Sequence, residues 1–211
     1  LKKPQAVKAA LIGFTTIEDG GKCVSEIIAS GIIPAGMEMM DKALIHATDN
    51  FVKAGYPRDA EAMLIVELDG TEIEVNELIE KVNKIAKKNK SSSIKISKNE
   101  KQRLKFWEGR KAAFPACGDM APDYYCMDGT IPRGKLAQVL KEIGRLSKKY
   151  NLPVANAFHA GDGNLHPLIM YDANEKNSLK KTEKFGADIL KYCVKIGGVL
   201  TGEHGVGVEK R

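Results

Sequence analysis

The segment VANAFHAGDGNLHPLIMY, residues 154–171, contains two apolar runs separated by a short polar stretch. The runs are Val154–Ala160 and Leu165–Tyr171, and the residues between them, Gly161-Asp162-Gly163-Asn164, are strong turn formers. Two apolar runs joined by such a turn are typical of an antiparallel β-hairpin. We expect these four residues to form the loop and the two residues that flank it to pair with each other.

The predicted hairpin places two of the four histidines, His159 and His166, directly opposite each other. Cross-strand partners share one face of the sheet, with Cβ atoms about 4.5–5.5 Å apart. Two imidazoles at that separation can bind one metal ion, since zinc–nitrogen bonds are about 2.0–2.1 Å long. A register shift of one residue would send the two rings to opposite faces. The alternative is two unrelated histidines that flank a tight turn.

A second segment, Gly197–Gly207, holds five glycines around the pair Glu203-His204. So many glycines indicate an irregular backbone that can approach a ligand closely. A helix C-cap followed by a flexible linker would explain Gly197-Gly198, but not a Glu-His pair set between glycines. A carboxylate added to two imidazoles would give a three-ligand metal site with an open position. Nucleotide binding is not favoured, because the turn lacks a third glycine and no P-loop lysine follows.

The spacing of apolar residues predicts an α+β fold with two similar halves. Each half is expected to run strand, helix, strand, then strand, helix and a further extended piece. This is a duplicated ferredoxin-like (split βαβ) plan, an antiparallel sheet with helices packed on one face. The predicted strands are Lys8–Phe14, Ile32–Met40, Ala62–Leu68, Ser93–Ser97, Tyr124–Ile131, Pro153–Ala160 and Leu165–Tyr171. The predicted helices are Ile17–Ser30, a helix capped by Asp41 and running to Ala54, Glu72–Lys88, Lys98–Ala113, Arg133–Tyr150 and Glu175–Ile196, with a loop at Phe114–Asp123.

The overall composition is that of a globular protein: 211 residues, 43% apolar and 28% charged, with a net charge of +6. No apolar run approaches the roughly 18 residues that a membrane span requires. The basic stretch Lys101–Lys111 is too short for a nucleic-acid surface. The four cysteines are dispersed without a C-x-x-C pair, which favours a reducing compartment and hence the cytoplasm. Because the chain begins at Leu1 rather than Met, we expect it to be a fragment of a longer polypeptide.

Two motifs, His159-Ala160-Gly161-Asp162-Gly163-Asn164-Leu165-His166 and Gly202-Glu203-His204-Gly205, resemble the C-terminal domain of FAD-linked oxidases. The resemblance is strongest to glycolate oxidase large subunits, and D-lactate and D-2-hydroxyglutarate dehydrogenases are relatives. It extends over essentially the whole chain, residues 1–211, and includes Gly31–Asp41, Glu67–Gly70, Trp107–Lys111 and Asp128–Arg133. It implies that a flavin-binding half precedes this substrate and cap domain in the parent, and that further residues follow it.

The resemblance also implies roles for individual residues. His159, His166 and Glu203 match divalent-metal ligands (zinc, manganese or iron), and His204 matches the general base. Arg110 matches the arginine that binds the substrate carboxylate, with a surface charge on a helix as the alternative. The turn made by Gly161, Asp162, Gly163 and Asn164 matches part of the wall that faces the flavin.

The implied activity is oxidation of a small 2-hydroxy acid, glycolate or D-lactate, with hydride transfer to FAD. Some dicarboxylate-specific relatives have Lys where Cys126 stands and Asn where Leu168 stands, so small monocarboxylates are favoured. Companion subunits, including an iron–sulfur protein, and a peripheral association with the inner face of the membrane are further implications. The chain alone is expected to be inactive. The alternatives left open are a metal-dependent hydrolase and a non-catalytic assembly domain.

Overall fold

The computed structural model describes residues 3–208 and 210–211. Its strands are β1 (Ala6–Phe14), β2 (Gly36–Asp41), β3 (Ala62–Gly70), β4 (Ser91–Ile96), β5 (Asp123–Cys126), β6 (Gly129–Thr130), β7 (Val154–His159) and β8 (Asn164–Tyr171). Its α-helices are α1 (Ile17–Ala29), α2 (Lys42–Val52), α3 (Glu72–Lys88), α4 (Glu100–Lys111), α5 (Ala113–Ala116), α6 (Leu136–Tyr150) and α7 (Ser178–Lys195). Short 3-10 turns occur at Cys117–Asp119 and Arg133–Lys135.

Side-chain caps explain where two of the helices begin. The hydroxyl of Thr71 accepts the N–H of Glu74, and the Glu74 carboxylate accepts the N–H of Thr71, so this capping box starts α3 where the sequence predicts. The carboxylate of Asp41 accepts the N–H of Leu44 at 3.0 Å, which confirms the predicted cap of α2. Across the described part of the chain, no helix combines the length and the apolar character that a membrane span needs.

One antiparallel sheet contains all the strands, in the order β4-β1-β3-β2-β7-β8-β5, with β6 beside β8. The first half has the strand order β4-β1-β3-β2 of the split βαβ plan, with α1 and α3 as its connecting helices. The two halves join where β2 pairs with β7, and Glu38 lies opposite His159 in that pairing. The predicted α+β class and antiparallel sheet are confirmed.

The second half is less regular than predicted. The single strand predicted at Tyr124–Ile131 is divided into β5 and β6, which keep one register on β8. The interruption lies opposite Pro167, which has no N–H to donate to a strand pair. After α7, the described residues add one isolated bridge, Thr130–Val199, where a further extended piece was predicted.

Helices cover both faces of the sheet, so the prediction that they pack on one face is wrong. Along β1, Ala10, Ile12 and Phe14 point into a core with α1, α3, α6 and α7. Ala9 and Leu11 point to the opposite face, where α2, α4 and α5 pack. The predicted loop at 114–123 accordingly begins within α5 and includes a 3-10 turn. The second face matters for function, because the motif histidines project from it.

Candidate active site at the seam of the two halves

The hairpin of β7 and β8 forms as predicted, but its register differs by two residues. His159 lies opposite Asn164 and His166 lies opposite Ala157, so the expected His159–His166 pairing is wrong. The N–H groups of Asp162 and Gly163 both donate to the carbonyl of His159 at 3.0 Å, which closes the turn earlier than predicted. A shift of two residues preserves the face on which each side chain lies. The two rings therefore still meet, with centroids 5.0 Å apart and planes at 87°.

Glu203 joins the two histidines as the sequence predicts. Its Oε1 atom lies 3.0 Å from Nε2 of His166 and 3.3 Å from Nε2 of His159. One ligand atom from each of the three residues lies within 4.8 Å of the others. The predicted ligand set is therefore brought together, although its three members come from β7, β8 and the segment that follows α7.

The donor set fits a divalent metal ion. His166 is 3% exposed, and neither of its ring nitrogens has a hydrogen-bond partner of good geometry among the described residues. An imidazole buried without a partner is costly, and a metal ion would satisfy the nitrogen that faces Glu203. Burial and the nearby His159 lower the pKa of His166, which favours the neutral ring that binds metals. Two imidazoles and a carboxylate suit zinc, manganese or iron.

Asp128 holds the second motif against the first. Its buried carboxylate accepts the backbone N–H groups of Gly202 and His204 at 3.0 and 2.9 Å and the hydroxyl of Thr201 at 2.7 Å. Burial raises its pKa, but these hydrogen bonds outweigh burial and hold the pKa well below its usual range. In the sequence, Asp128 stands out only as part of the segment Asp128–Arg133, which carries the family resemblance. Because β5 and β6 pair with β8 in one register, Asp128 lies opposite His166, and its role follows from this position.

Gly202 explains why the second motif contains a glycine before Glu203. A Cβ atom on Gly202 would lie 2.3 Å from the Oδ1 atom of Asn164, so a side chain there would push the two motifs apart. The absence of a side chain thus permits the close approach that brings Glu203 to the histidines.

The proposed base, His204, lies beside the ligand cluster. Its ring stacks on that of His166, with centroids 5.1 Å apart and planes at 13°. His204 is exposed while His166 is buried, so its imidazole can meet a ligand that arrives from solvent. Its backbone N–H is fixed by Asp128, as described above, which limits how far the ring can move.

Arg110 reaches the same cluster through Glu38. Glu38 Oε1 lies 2.6 Å from Nδ1 of His159, and Glu38 Oε2 accepts from Nε of Arg110 at 2.8 Å. The hydrogen bond to Glu38 raises the pKa of His159, although burial opposes this. The Arg110 side chain is only 12% exposed, so the alternative of a surface charge on a helix is wrong.

Glu38 was missed by the sequence analysis. Its signal was available, because a carboxylate stands in the apolar strand Met37-Glu38-Met39-Met40, where a buried charge needs a partner.

The position of Arg110 is set by the close packing of α4 on Tyr56. A Cβ atom on Gly109 would lie 2.4–2.6 Å from atoms of the Tyr56 ring and hydroxyl, so only glycine allows this approach. The Tyr56 hydroxyl accepts the N–H of Arg110 at 2.9 Å and donates to the carbonyl of Phe106 at 2.5 Å. The glycine of the Trp107–Lys111 segment therefore has a positional role.

Cys126 and Leu168 are direct partners across the β5–β8 pair. Leu168 is fully buried and lies two residues from His166, on the same face of the strand. Burial raises the pKa of the Cys126 thiol to about 12, so the thiol is uncharged at neutral pH. The wall beside the candidate metal position is therefore uncharged at both positions.

The four residues of the predicted cofactor-facing turn divide into two pairs. Gly161 and Asp162 line a cavity of about 500 Å³ together with Glu38, His159 and Arg133. Gly163 has a φ of +76°, and a Cβ atom there would lie 2.2 Å from the Ile131 carbonyl oxygen. Asn164 is 6% exposed, packed under Gly202. Only the first pair faces open space.

Comparison with known proteins identifies relatives of this chain. The chain is 52% identical over 210 residues to the glycolate oxidase subunit GlcD of Escherichia coli strain K12, a match that covers 100% of this chain and 42% of that protein. It is 29% identical over 211 residues to the mitochondrial D-lactate dehydrogenase [cytochrome] of Arabidopsis thaliana, covering 99% of this chain and 37% of that protein. The chain thus spans less than half the length of these curated relatives.

The chain also shares its fold with solved structures and matches a family model. The 4-ethylphenol oxidase of Gulosibacter chungangensis shares the fold with a TM-score of 0.69 at 14% identity, over 96% of this chain and 46% of that one. Residues 3–211 match the model described as FAD linked oxidases, C-terminal domain. The chain therefore belongs to the family of FAD-linked oxidase C-terminal domains.

Proposed function

We propose that this chain forms the substrate and proton-transfer side of a flavin-dependent 2-hydroxy-acid oxidoreductase, with glycolate as first candidate substrate and D-lactate as second. One observation carries the proposal: His159, His166 and Glu203 converge beside His204 and Arg110 in a chain of this family. The flavin-binding half would be supplied by another part of the parent polypeptide. The family match gives no support to the hydrolase alternative.

Each residue of the site has a chemical task in this oxidation. The planar guanidinium of Arg110 offers paired donors that suit the substrate carboxylate. The imidazole of His204, in its neutral form, accepts the proton of the substrate hydroxyl. Loss of that proton from oxygen and of a hydride from Cα converts the 2-hydroxy acid to the 2-oxo acid.

The proposed cofactors supply what these side chains cannot. FAD, when bound, provides the acceptor for the two electrons of the hydride. A divalent ion held by His159, His166 and Glu203 would act as a Lewis acid that lowers the pKa of the substrate hydroxyl.

The uncharged pair Cys126–Leu168 supports a small monocarboxylate as the substrate. A second carboxylate placed against this wall would lose its hydration without gaining a charged partner from Cys126 or Leu168. We therefore place glycolate and D-lactate ahead of 2-hydroxyglutarate.

The partners and location follow from the same proposal. The Escherichia coli relative is named as a subunit, which supports an enzyme of several chains, and we propose an iron–sulfur protein among them as the electron carrier. Cys23, Cys117, Cys126 and Cys193 are free thiols, which supports a cytoplasmic location, and we also propose peripheral contact with the inner face of the membrane.

Elemental analysis tests the metal site. The purified chain is expected to contain a divalent metal, and a His159→Ala, His166→Ala double variant is expected to lose it. His46→Ala is the matched control, since His46 lies outside the cluster and its Nε2 atom bonds to the carbonyl of Arg58. Equal metal content in the double variant and the control would contradict the ligand assignment.

Steady-state kinetics of the full-length flavoenzyme test the reaction. His204→Ala is expected to lower kcat by about 10²–10⁴-fold, the usual contribution of a positioned general base. Unchanged kcat would remove His204 from this role. A parent gene that encodes no flavin-binding region would contradict the proposed function as a whole.

A further inference from the structure

We infer that Glu38 is a positioning residue of this site, and that its one carboxylate orients both His159 and Arg110. The inference rests on the proposed function, because it concerns how the metal ligand and the substrate-binding arginine are held. Glu38 belongs to the first half of the fold, whereas His159, His166 and Glu203 belong to the second. The seam between the halves therefore takes part in building the site.

Strand pairing places Glu38 where it can act. Glu38 on β2 lies directly opposite His159 on β7, so the two side chains share one face of the sheet. The 2.6 Å contact from Glu38 Oε1 reaches the Nδ1 atom of His159. A carboxylate accepts and does not donate, so this contact requires a proton on Nδ1. In the neutral ring, the lone pair then lies on Nε2, the atom that faces Glu203 Oε1 at 3.3 Å.

The second oxygen of Glu38 binds Arg110 through the Nε atom alone. Oε2 accepts from Nε at 2.8 Å, and the Arg110 side chain makes no other hydrogen bond within residues 3–208 and 210–211. A guanidinium bonded only through Nε keeps its two terminal nitrogens available as a fork. The same carboxylate thus fixes the metal-facing nitrogen of His159 and leaves the carboxylate-binding end of Arg110 free.

In a purely structural role, Glu38 would only attach α4 to the sheet. Glu67 already makes that attachment. Glu67 lies on the neighbouring strand β3, and its Oε2 atom accepts from Nη1 of Arg103 and from Nε1 of Trp107, both on α4. The Glu67 and Glu38 side chains are similarly buried, 16% and 10% exposed. Only Glu38 bonds to residues of the site, so Glu67 provides a matched control.

Zinc titration of the 211-residue chain tests the inference. Glu38→Gln keeps the shape of the side chain, but its amide group cannot accept from both His159 and Arg110. Removing an outer partner of a metal ligand weakens metal binding by about 10–100-fold, and we expect this loss for Glu38→Gln. Glu67→Gln is expected to bind zinc as the wild type does, even if it unfolds at lower denaturant concentration. Equal weakening in both variants would mean a structural role and would overturn the inference.

The tautomer of His159 gives a second readout that needs no metal. With four histidines in the chain, long-range ¹H–¹⁵N spectra at alkaline pH, where imidazoles are neutral, can assign each ring. We expect His159 to carry its proton on Nδ1 in the wild type and in Glu67→Gln, and to lose that preference in Glu38→Gln. If the wild type binds no zinc, the proposed metal site fails, and the tautomer alone decides the role of Glu38. An unchanged tautomer in Glu38→Gln would overturn it.

Discussion

The buried carboxylate of Asp128 accepts the backbone N–H of His204 at 2.9 Å, and this contact holds the second motif in register with the first. The N–H of Glu203 donates to the same carboxylate oxygen at 3.2 Å. The two residues proposed as metal ligand and base are therefore fixed through their backbone by one side chain, while their own side chains remain exposed. Such an arrangement lets a glycine-rich segment present functional groups in a defined position.

Asp128→Asn is expected to destabilise the chain by about 1–3 kcal/mol, because the amide introduces donors among groups that already donate. Chemical denaturation measures the change, and zinc titration is expected to show weaker binding as the 201–204 segment loosens. Asp188→Asn is the control, since the Asp188 carboxylate is 29% exposed and pairs with the exposed Lys149, and it is expected to cost less than about 1 kcal/mol. Equal stability of Asp128→Asn and the wild type would contradict this account of the segment.

Gly109→Ala is expected to destabilise the chain by about 1–3 kcal/mol, because the added Cβ collides with Tyr56 and forces α4 to shift. Gly144→Ala in α6 is the matched control, since a Cβ there meets nothing within 4 Å. An alanine in a helix is favoured over glycine, so this control is expected to gain about 0.5–1 kcal/mol. A stability change of the same sign in both variants, measured by denaturation, would show that the contact with Tyr56 does not limit the helix position.

Asp49 bonds to the loop that carries Tyr56, and its contribution to stability can be tested by lowering the pH. Its Oδ1 atom accepts the N–H groups of Gly55 and Tyr56 at 2.7 and 3.1 Å, and Arg58 pairs with Oδ2 at 3.1 Å. Burial raises the pKa of Asp49, but these contacts outweigh it and lower the pKa below its ordinary value. A carboxyl group with a lowered folded-state pKa stabilises the fold above its unfolded pKa of about 3.9, and this stabilisation is lost as pH falls through the folded value.

The stability difference between the wild type and Asp49→Asn is therefore expected to be largest at neutral pH and to shrink as the pH falls below about 4. Denaturation curves at several pH values measure this difference. A difference that stays constant with pH would show that the charge of Asp49 does not contribute.

Local patterns in the sequence predicted much of the fold, and tertiary pairing accounts for what they missed. The apolar spacing and cap residues of Glu72–Lys88 sufficed for α3, because both signals lie within the helix itself. The coverage of both faces was missed, although the nearly continuous apolar run of β1 is typical of a strand buried on both sides. The interruption between β5 and β6 depends on Pro167 in a partner strand, which spacing along the chain cannot show.

The sequence also predicted part of the site and missed the rest. Because side chains alternate between the two faces along a strand, the predicted hairpin placed His159 and His166 on one face, although its register was wrong by two residues. Glu38 and Asp128 were not predicted as site residues, because each reaches the cluster through a strand partner far away in sequence. Family resemblance supplied the roles of Glu203, His204 and Arg110, and these roles remain proposals.

The Cys126–Leu168 pair gives a prediction about substrate choice in the full-length enzyme. Introducing the residues of dicarboxylate-specific relatives, Cys126→Lys with Leu168→Asn, is expected to raise kcat/KM for D-2-hydroxyglutarate relative to glycolate by about tenfold or more. The physical reason is that the two positions face each other across β5 and β8 beside His166, so a lysine and an amide there can bind a second carboxylate together. The control is Leu168→Met, which conserves volume and adds no hydrogen-bonding partner, and it is expected to leave the ratio unchanged. Since Leu168 is fully buried, stability is measured alongside the kinetics, and a folded double variant with an unchanged substrate ratio would show that this wall does not contact the substrate.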